Sequence, residues 1–263
     1  MKQMKMEMKM EMKDLSCGYH GHEVIEHINM TIKAKEMWCV LGSNGVGKTT
    51  FFKTVLRLLG PINGSISLND IPLESWNRKE LAKQIAYVPQ NHVPPFAFTV
   101  KEVIAMGRNP HQQGLGKLNG EDRRAVEEAM ELLGIEYLCN KDYTRISGGE
   151  RQLTLIARAI AQQTPILVLD EPVSNLDFGN QARIISHICG LVEKLDRTVI
   201  MTTHFPDHGF LADANVLLLY KNKKHCVGKG KDIITEQAVK ELYGIENRIL
   251  YLDSCKKTVC VSL

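Results

Sequence analysis

The stretch Gly42-Ser43-Asn44-Gly45-Val46-Gly47-Lys48-Thr49 constrains this chain more than any other feature. It fits the pattern GxxxxGK[ST] and sits between two readable elements. Before it, the apolar run Met37 to Leu41 reads as a fully buried strand; after it, Phe52, Val55, Leu56 and Leu59 fall at helical spacing over 48 to 59, ending at Gly60-Pro61. In a strand–glycine loop–helix unit the backbone curls so that successive N–H groups face phosphate oxygens, and the helix N-terminus adds its positive dipole. Lys48 is then placed to reach the β- and γ-phosphates, and the Thr49 hydroxyl to ligate Mg²⁺.

A second chemical signal is Ile166-Leu167-Val168-Leu169-Asp170-Glu171, a hydrophobic strand ending in two carboxylates. Downstream of a phosphate loop, Asp170 is placed to hold Mg²⁺ through water, and Glu171 is a candidate general base for an attacking water. A third is Ser147-Gly148-Gly149-Glu150 ahead of a helical pattern over 150 to 162. That segment reads equally as an anion-binding helix N-terminus and as a simple N-cap.

The rest of the chain alternates helices with buried strands. Met4 to Lys13 alternates methionine and charge, which puts its five methionines on one strand face and lacks the continuous apolar core of a signal peptide. Short β signals fall at 64 to 68 and 85 to 88. Thr99 with Glu102 makes a capping box for a helix through about Met106, and a second helix fits 121 to 133. Another helix covers about 180 to 194, then a strand Thr198 to Thr203, a hairpin over 215 to 228, and a helix near 232 to 243. This order predicts an α/β sheet with helices on both faces.

Composition narrows the function classes. With 33 Lys+Arg against 30 Asp+Glu, interleaved along 263 residues, the charge gives no reason to expect a nucleic-acid partner. No apolar run approaches the roughly 18 residues of a bilayer span. Seven scattered cysteines without a CxxC pair suggest neither a disulfide framework nor a zinc ribbon; Cys255 and Cys260 read as free thiols of a reducing compartment.

The phosphate loop, Gln90, Ser147 to Glu150, Leu169-Asp170-Glu171-Pro172, Ser174-Asn175-Leu176-Asp177 and His204, in that order, resemble the ATP-binding subunit of ABC transporters over about residues 8 to 243. The resemblance implies an α/β P-loop NTPase (RecA-like) core with an N-terminal antiparallel β subdomain, an inserted α-helical subdomain at about 91–164, and a C-terminal extension, 244–263. It implies ATP and Mg²⁺ as cofactors, with ATP held by Gly42, Ser43, Asn44, Gly45, Val46, Gly47, Lys48, Thr49 and Thr50. Tyr19 looks like the aromatic residue that stacks on adenine, with edge packing as its other reading. Gln90 resembles the loop glutamine that senses Mg²⁺ and the membrane partner, so Thr49, Gln90 and Asp170 form the implied metal set. By the same resemblance Ser147, Gly148, Gly149 and Glu150 clasp the γ-phosphate of ATP on the other subunit, His204 is the switch histidine, and Asp177 lies in the loop coupling the two sites. Departures from the pattern are Ile146 for Leu, Glu150 for Gln, Val173 after Pro172, and Phe51-Phe52 after the loop.

Leu73-Glu74-Ser75-Trp76, Ile85 to Gln90, Thr99-Val100, Met106 to Pro110 and Tyr243-Gly244-Ile245 look like the ATPases of importers for iron-siderophores, haem, cobalamin and, in some members, molybdate. That implies a nucleotide-bridged homodimer, integral-membrane permease subunits, an indirectly linked substrate-binding protein, and a cytoplasmic location on the inner face of the membrane. The alternatives are a soluble ABC-type ATPase acting on a protein scaffold or nucleic acid, and an exporter cassette. Repair members of that soluble class carry long coiled-coil or zinc insertions, which have no counterpart between Thr49 and Asp170.

Overall fold

The computed structural model describes residues 8–90, 97–112, 118–174 and 176–263. Strands β1 (Lys9–Tyr19), β2 (His22–Lys33) and β3 (Met37–Leu41) precede helix α1 (Lys48–Val55). Strands β4 (Asn63–Leu68) and β5 (Ile71–Pro72), helix α2 (Arg78–Leu81) and strand β6 (Ile85–Val88) follow. Helices α3 (Val100–Ala105), α4 (Gly120–Leu133) and α5 (Gly148–Ala161) lead to strand β7 (Ile166–Leu169) and helix α6 (Phe178–Glu193). The remainder holds β8 (Thr198–Thr203), β9 (Asn215–Leu219), β10 (His225–Lys229), α7 (Gly230–Ile233), α8 (Glu236–Tyr243), β11 (Asn247–Leu252) and β12 (Lys257–Ser262). By its own contacts the chain forms two compact units, one running to Trp76 and resuming at Leu191, the other Asn77–Gly190. No helix of the described residues is long and apolar enough to cross a membrane.

In the first unit an antiparallel sheet has the order β2-β1-β4-β5. Met10 and Met12 are fully buried on one face of β1, and each contributes about 1.5–3 kcal/mol by leaving water. The second feature of this unit is parallel. Strand β3 lies between β8 and β9, with β10 antiparallel on β9, and all five β3 residues are buried, as a central parallel strand requires. This register fixes the site: Leu41 pairs with Thr203, so the chain leaves β3 toward Gly42 and β8 toward His204 from the same rung.

In the second unit β6 and β7 are parallel, from Ile85↔Ile166 to Val88↔Leu169, so Gln90 and Asp170-Glu171 also follow one shared rung. Helices α3, α4 and α5 each start with a reciprocal capping box, on Thr99/Glu102, Asn119/Asp122 and Ser147/Glu150. Buried Arg108 ties them together. Its Nε donates to Asp122 Oδ1 at 2.9 Å and its Nη1 to the carbonyl of Ala161 at 2.7 Å, which joins the start of α4 to the end of α5.

Several sequence expectations shift. The helix expected over 48 to 59 stops at Val55, because Arg57 turns left-handed (φ 55°) and the N–H groups of Leu58 and Leu59 both return to the carbonyl of Lys53. The helix near 232 to 243 is two helices, since Thr235 breaks the run and caps α8 by accepting from Ala238 N–H. The N-terminal strand does not end at Lys13 but runs on to Tyr19 past a bulge at Asp14 (φ 50°); Met4 and Met6 lie outside the described residues. Strand β2 and the hairpin β11–β12 carry no expectation. In β2 the buried residues are Ile25, Ile28, Met30 and Ile32, and a left-handed His27 (φ 57°) shifts the alternation by one residue, which hides the period of two.

Candidate active site

In the first unit the phosphate loop joins β3 to α1. Gly45 and Gly47 have φ of 80° and 110°, and a Cβ on Gly47 would come 2.7 Å from Val24 Cγ1, so a larger residue meets both strain and a clash there. Helix α1 has no side-chain cap and no acidic residue of its own in its first turn, and its N-terminus carries the positive end of the helix dipole. Lys48 is buried, and its Nζ donates to the carbonyl oxygens of Gly42 at 2.8 Å and Ser43 at 3.3 Å. The ammonium thereby holds the loop curled. Around it Val46 and Thr50 are buried, while Asn44, Gly45 and Thr49 are exposed.

Tyr19, 40% exposed, ends β1 beside α1. Hydrogen bonds with Thr50 and then Lys53 hold its phenol below the ordinary tyrosine range, and Lys53 Nζ lies 5.7 Å from the ring centroid. An exposed ring against the helix of the phosphate loop is available to stack on a flat ligand.

His204 leaves β8 one residue past the Leu41↔Thr203 rung. Its ring lies 4.2 Å from that of Phe205, and Phe205 is 5.2 Å from the ring of His208. His208 is anchored by Thr203 Oγ1 at 2.8 Å from Nδ1 and by Cys39 Sγ donating to its carbonyl at 3.3 Å. Burial, with the neighbouring His204 charge, pushes His208 down to about 4. None of Phe205, Asp207 and His208 is among the sequence-derived site residues, because their contacts arise only once the loop is folded.

In the second unit the end of β7 carries the carboxylates. Asp170 is buried, its N–H donates to the Val88 carbonyl at 2.9 Å, and Tyr87 Oη donates to Oδ2 at 3.4 Å. Burial and the charge of Asp170 push Tyr87 up to about 12, so it stays a donor. Glu171 takes a left-handed backbone (φ 46°), a strained choice for a residue with Cβ, in a turn closed by the N–H and hydroxyl of Ser174 on its carbonyl. Gln90 Nε2 donates to Glu171 Oε2 at 2.8 Å.

Ser147 is the N-cap of α5, with its hydroxyl accepting from Glu150 N–H at 3.3 Å and Glu150 Oε2 accepting from Ser147 N–H at 2.8 Å. Those bonds hold Glu150 below the ordinary carboxylate range. The capping reading is therefore present, and it leaves the other N–H groups of the first turn unassigned. Asp177 accepts from Asn180 N–H at 3.0 Å and is held below its usual range by that bond. The Asn180 side chain lies where a Cβ on Gly149 would come within 2.8 Å, so Gly149 and Asp177 share one neighbour. Asn175 lies outside the described residues.

The donor set proposed for a metal, a hydroxyl on Thr49, an amide oxygen on Gln90 and a carboxylate on Asp170, is all hard oxygen. Among the described residues no group of three His, Cys, Asp or Glu could hold a metal by itself. One carboxylate with neutral oxygens suits Mg²⁺ that arrives with phosphates, rather than a resident metal.

Comparison with known proteins decides the family. The ABC transporter model matches residues 25–174. The chain belongs to the ABC transporter family. It is 37% identical over 244 residues, 93% of its own length and 92% of the relative's, to an uncharacterized ABC transporter ATP-binding protein of Haemophilus influenzae. It is 32% identical over 248 residues to the iron(3+)-hydroxamate import ATP-binding protein FhuC of Bacillus subtilis, covering 94% of this chain and 92% of FhuC. Among solved structures, an inward-facing putative metal-chelate type ABC transporter superimposes with a TM-score of 0.85 at 29% identity, covering 97% of this chain and 98% of that one. As an ABC ATP-binding subunit, the chain is an ATPase with the P-loop α/β fold expected from its motifs.

Proposed function

We propose that this ABC ATPase is the energy-coupling subunit of an importer for a metal chelate of the iron-siderophore, haem or cobalamin class. The observation that carries the proposal is full-length similarity to the FhuC import protein, together with the metal-chelate transporter superposition. In this reading the cassette spans 8–243, with a helical subdomain at about 91–164, and 244–263 is an extension. It acts as a head-to-tail homodimer on the cytoplasmic face of the membrane, docked on permease subunits and linked through them to a substrate-binding protein.

The residue roles in this reading are those that the resemblance to ABC ATP-binding subunits implies. Gly42 to Thr50 bind the phosphates of ATP, with Lys48 moving its ammonium from the loop carbonyls to phosphate oxygens, and Tyr19 stacks on adenine. Thr49, Asp170 and Gln90 would hold Mg²⁺, which when bound neutralises charge on the phosphates. Glu171 takes a proton from the attacking water, and His204 contacts the γ-phosphate. Ser147 to Glu150 clasp the γ-phosphate of the nucleotide on the other subunit, and Asp177 couples the two sites. Hydrolysis then removes the contact that favours the closed dimer, so the dimer reopens.

The test is transport. In cells lacking this chain, uptake of radiolabelled ferric hydroxamate should fall to background and return on re-expression, and the tagged chain should co-purify with a multi-span membrane protein. Normal chelate uptake in the deletion, with the chain recovered on a soluble scaffold, would support the soluble ABC-type alternative instead.

A further inference from the structure

The C-terminal hairpin ends on the loop that carries His204. A two-stranded hairpin is marginal in water on its own, and here Leu250, Tyr251, Leu252 and Val261 are all more than 40% exposed. Arg248 Nη1 donates to Glu236 Oε2 at 3.1 Å, and the next rung holds the hairpin on both sides. Ile249 pairs with Cys260, and both N–H groups of that pair point outward, away from the hairpin, onto carboxylates from elsewhere in the unit. Glu236 Oε1, in the first turn of α8, accepts from Ile249 at 3.3 Å. Asp207 Oδ1 accepts from Cys260 at 2.6 Å, the shorter and charge-assisted link. Buried Asn247 adds a 2.9 Å bond to the carbonyl of Glu236 at the base of the hairpin.

Asp207 belongs to the segment Pro206–Asp213, which is not one helix: Leu211 and Ala212 leave helical geometry and Ala212 is left-handed. That segment begins two residues after His204. Next to Asp207 is His208, whose ring packs on Phe205 at 5.2 Å, and Phe205 in turn packs on His204 at 4.2 Å. The route from hairpin to histidine is therefore continuous: Cys260 N–H, Asp207, His208, Phe205, His204.

We propose that the hairpin Asn247–Ser262 braces the His204 loop through the Cys260–Asp207 bond, making Asp207 a positioning residue for ATP turnover. The proposal rests on the reading that His204 contacts the γ-phosphate. Asp207 touches no nucleotide in this account; it restrains the loop from which His204 reaches. Loss of the brace lets the histidine sample more orientations, which lowers the rate of the chemical step without removing the groups that bind ATP.

The experiment uses the full-length chain, with steady-state ATPase kinetics in Mg·ATP and circular dichroism to establish folding. Asp207→Leu, which removes the acceptor, should lower kcat about fivefold with KM within about twofold of the parent. Asp207→Asn keeps an oxygen acceptor and should restore most of the rate. Cys260→Pro removes the donor from the opposite side, at a half-buried position of β12, and should reproduce the Asp207→Leu defect. Because both changes cut the same bond, the double variant should be no slower than either single one. Parent-like kcat in folded Cys260→Pro, or additive losses in the double variant, would overturn the brace. His204→Ala separates the two layers. If it collapses turnover while Asp207→Leu and Cys260→Pro do not, the brace alone fails; if it turns over at the parent rate, the γ-phosphate reading fails and the brace falls with it.

Discussion

The side-chain amide of Gln90 donates a 2.8 Å hydrogen bond to the carboxylate of Glu171, across two parallel strands that end side by side. The residue proposed to take a proton from water is thus held by the glutamine that resembles the sensor of Mg²⁺ and the membrane partner. Glu171→Gln preserves an acceptor for Gln90 and the volume of the side chain, but removes the base. ATP hydrolysis should fall at least about 100-fold while ATP affinity stays within a few-fold, as read by phosphate release and by nucleotide titration. Hydrolysis at the parent rate would remove Glu171 from its proposed role.

Lys48 has two tasks that one substitution separates from fold. Its ammonium satisfies the Gly42 and Ser43 carbonyls now and is proposed to serve phosphates when ATP is bound. Lys48→Ala should weaken ATP binding at least about tenfold and also lower stability by about 1–3 kcal/mol through the unpaired loop carbonyls. Calorimetric titration together with a denaturant midpoint checks both.

Arg108 and Asp122 form a buried pair, with side chains 5% and 3% exposed. Burial alone would raise the Asp122 carboxyl, but hydrogen bonds from Arg108 and from the Asn119 backbone outweigh it and hold Asp122 below its ordinary range. Arg108→Ala leaves a buried carboxylate uncompensated and should cost about 3–5 kcal/mol in urea unfolding. A depressed carboxyl contributes stability above its unfolded value and loses it as pH falls through the folded one, so this contribution fades on the acid side of about pH 4.

His208 gives a pH signature of opposite chemistry. Its folded value of about 4 lies below the unfolded histidine value of about 6.5, so the unfolded chain binds the proton more readily. Stability is complete above about pH 6.5 and declines as pH falls toward 4, by up to about 3 kcal/mol. His208→Gln should flatten that segment of the stability profile, measured as urea midpoint against pH. An unchanged slope between pH 6.5 and 4 would assign the decline to other groups.

These outcomes bear on how much of the site was legible beforehand. The phosphate loop and the Asp170-Glu171 pair were legible because a buried strand, a chemical motif and a helix are each local, and the motif sits at the junction. The capping box at Thr99 was legible for the same reason, while Ser147 was legible only as one of two readings, an N-cap or an anion-binding helix N-terminus. Strand β2 was not, because His27 turns left-handed and inverts the alternation that a reader of sequence counts. Nor were Asn180, Phe205 and Asp207, which acquire meaning only from partners that the fold delivers, such as Gly149, His208 and Cys260. The hairpin beyond Tyr243 lacks strong patterning because most of its side chains remain exposed.

The central claim is that two copies close head to tail around ATP. It is tested most directly by light scattering on size-exclusion chromatography of Glu171→Gln with and without Mg·ATP. The account predicts a species of about twice 29.6 kDa with ATP and the 29.6 kDa monomer without it, and a return to monomer when Ser147→Arg is added. A Glu171→Gln chain that binds ATP stoichiometrically and yet stays monomeric would contradict it.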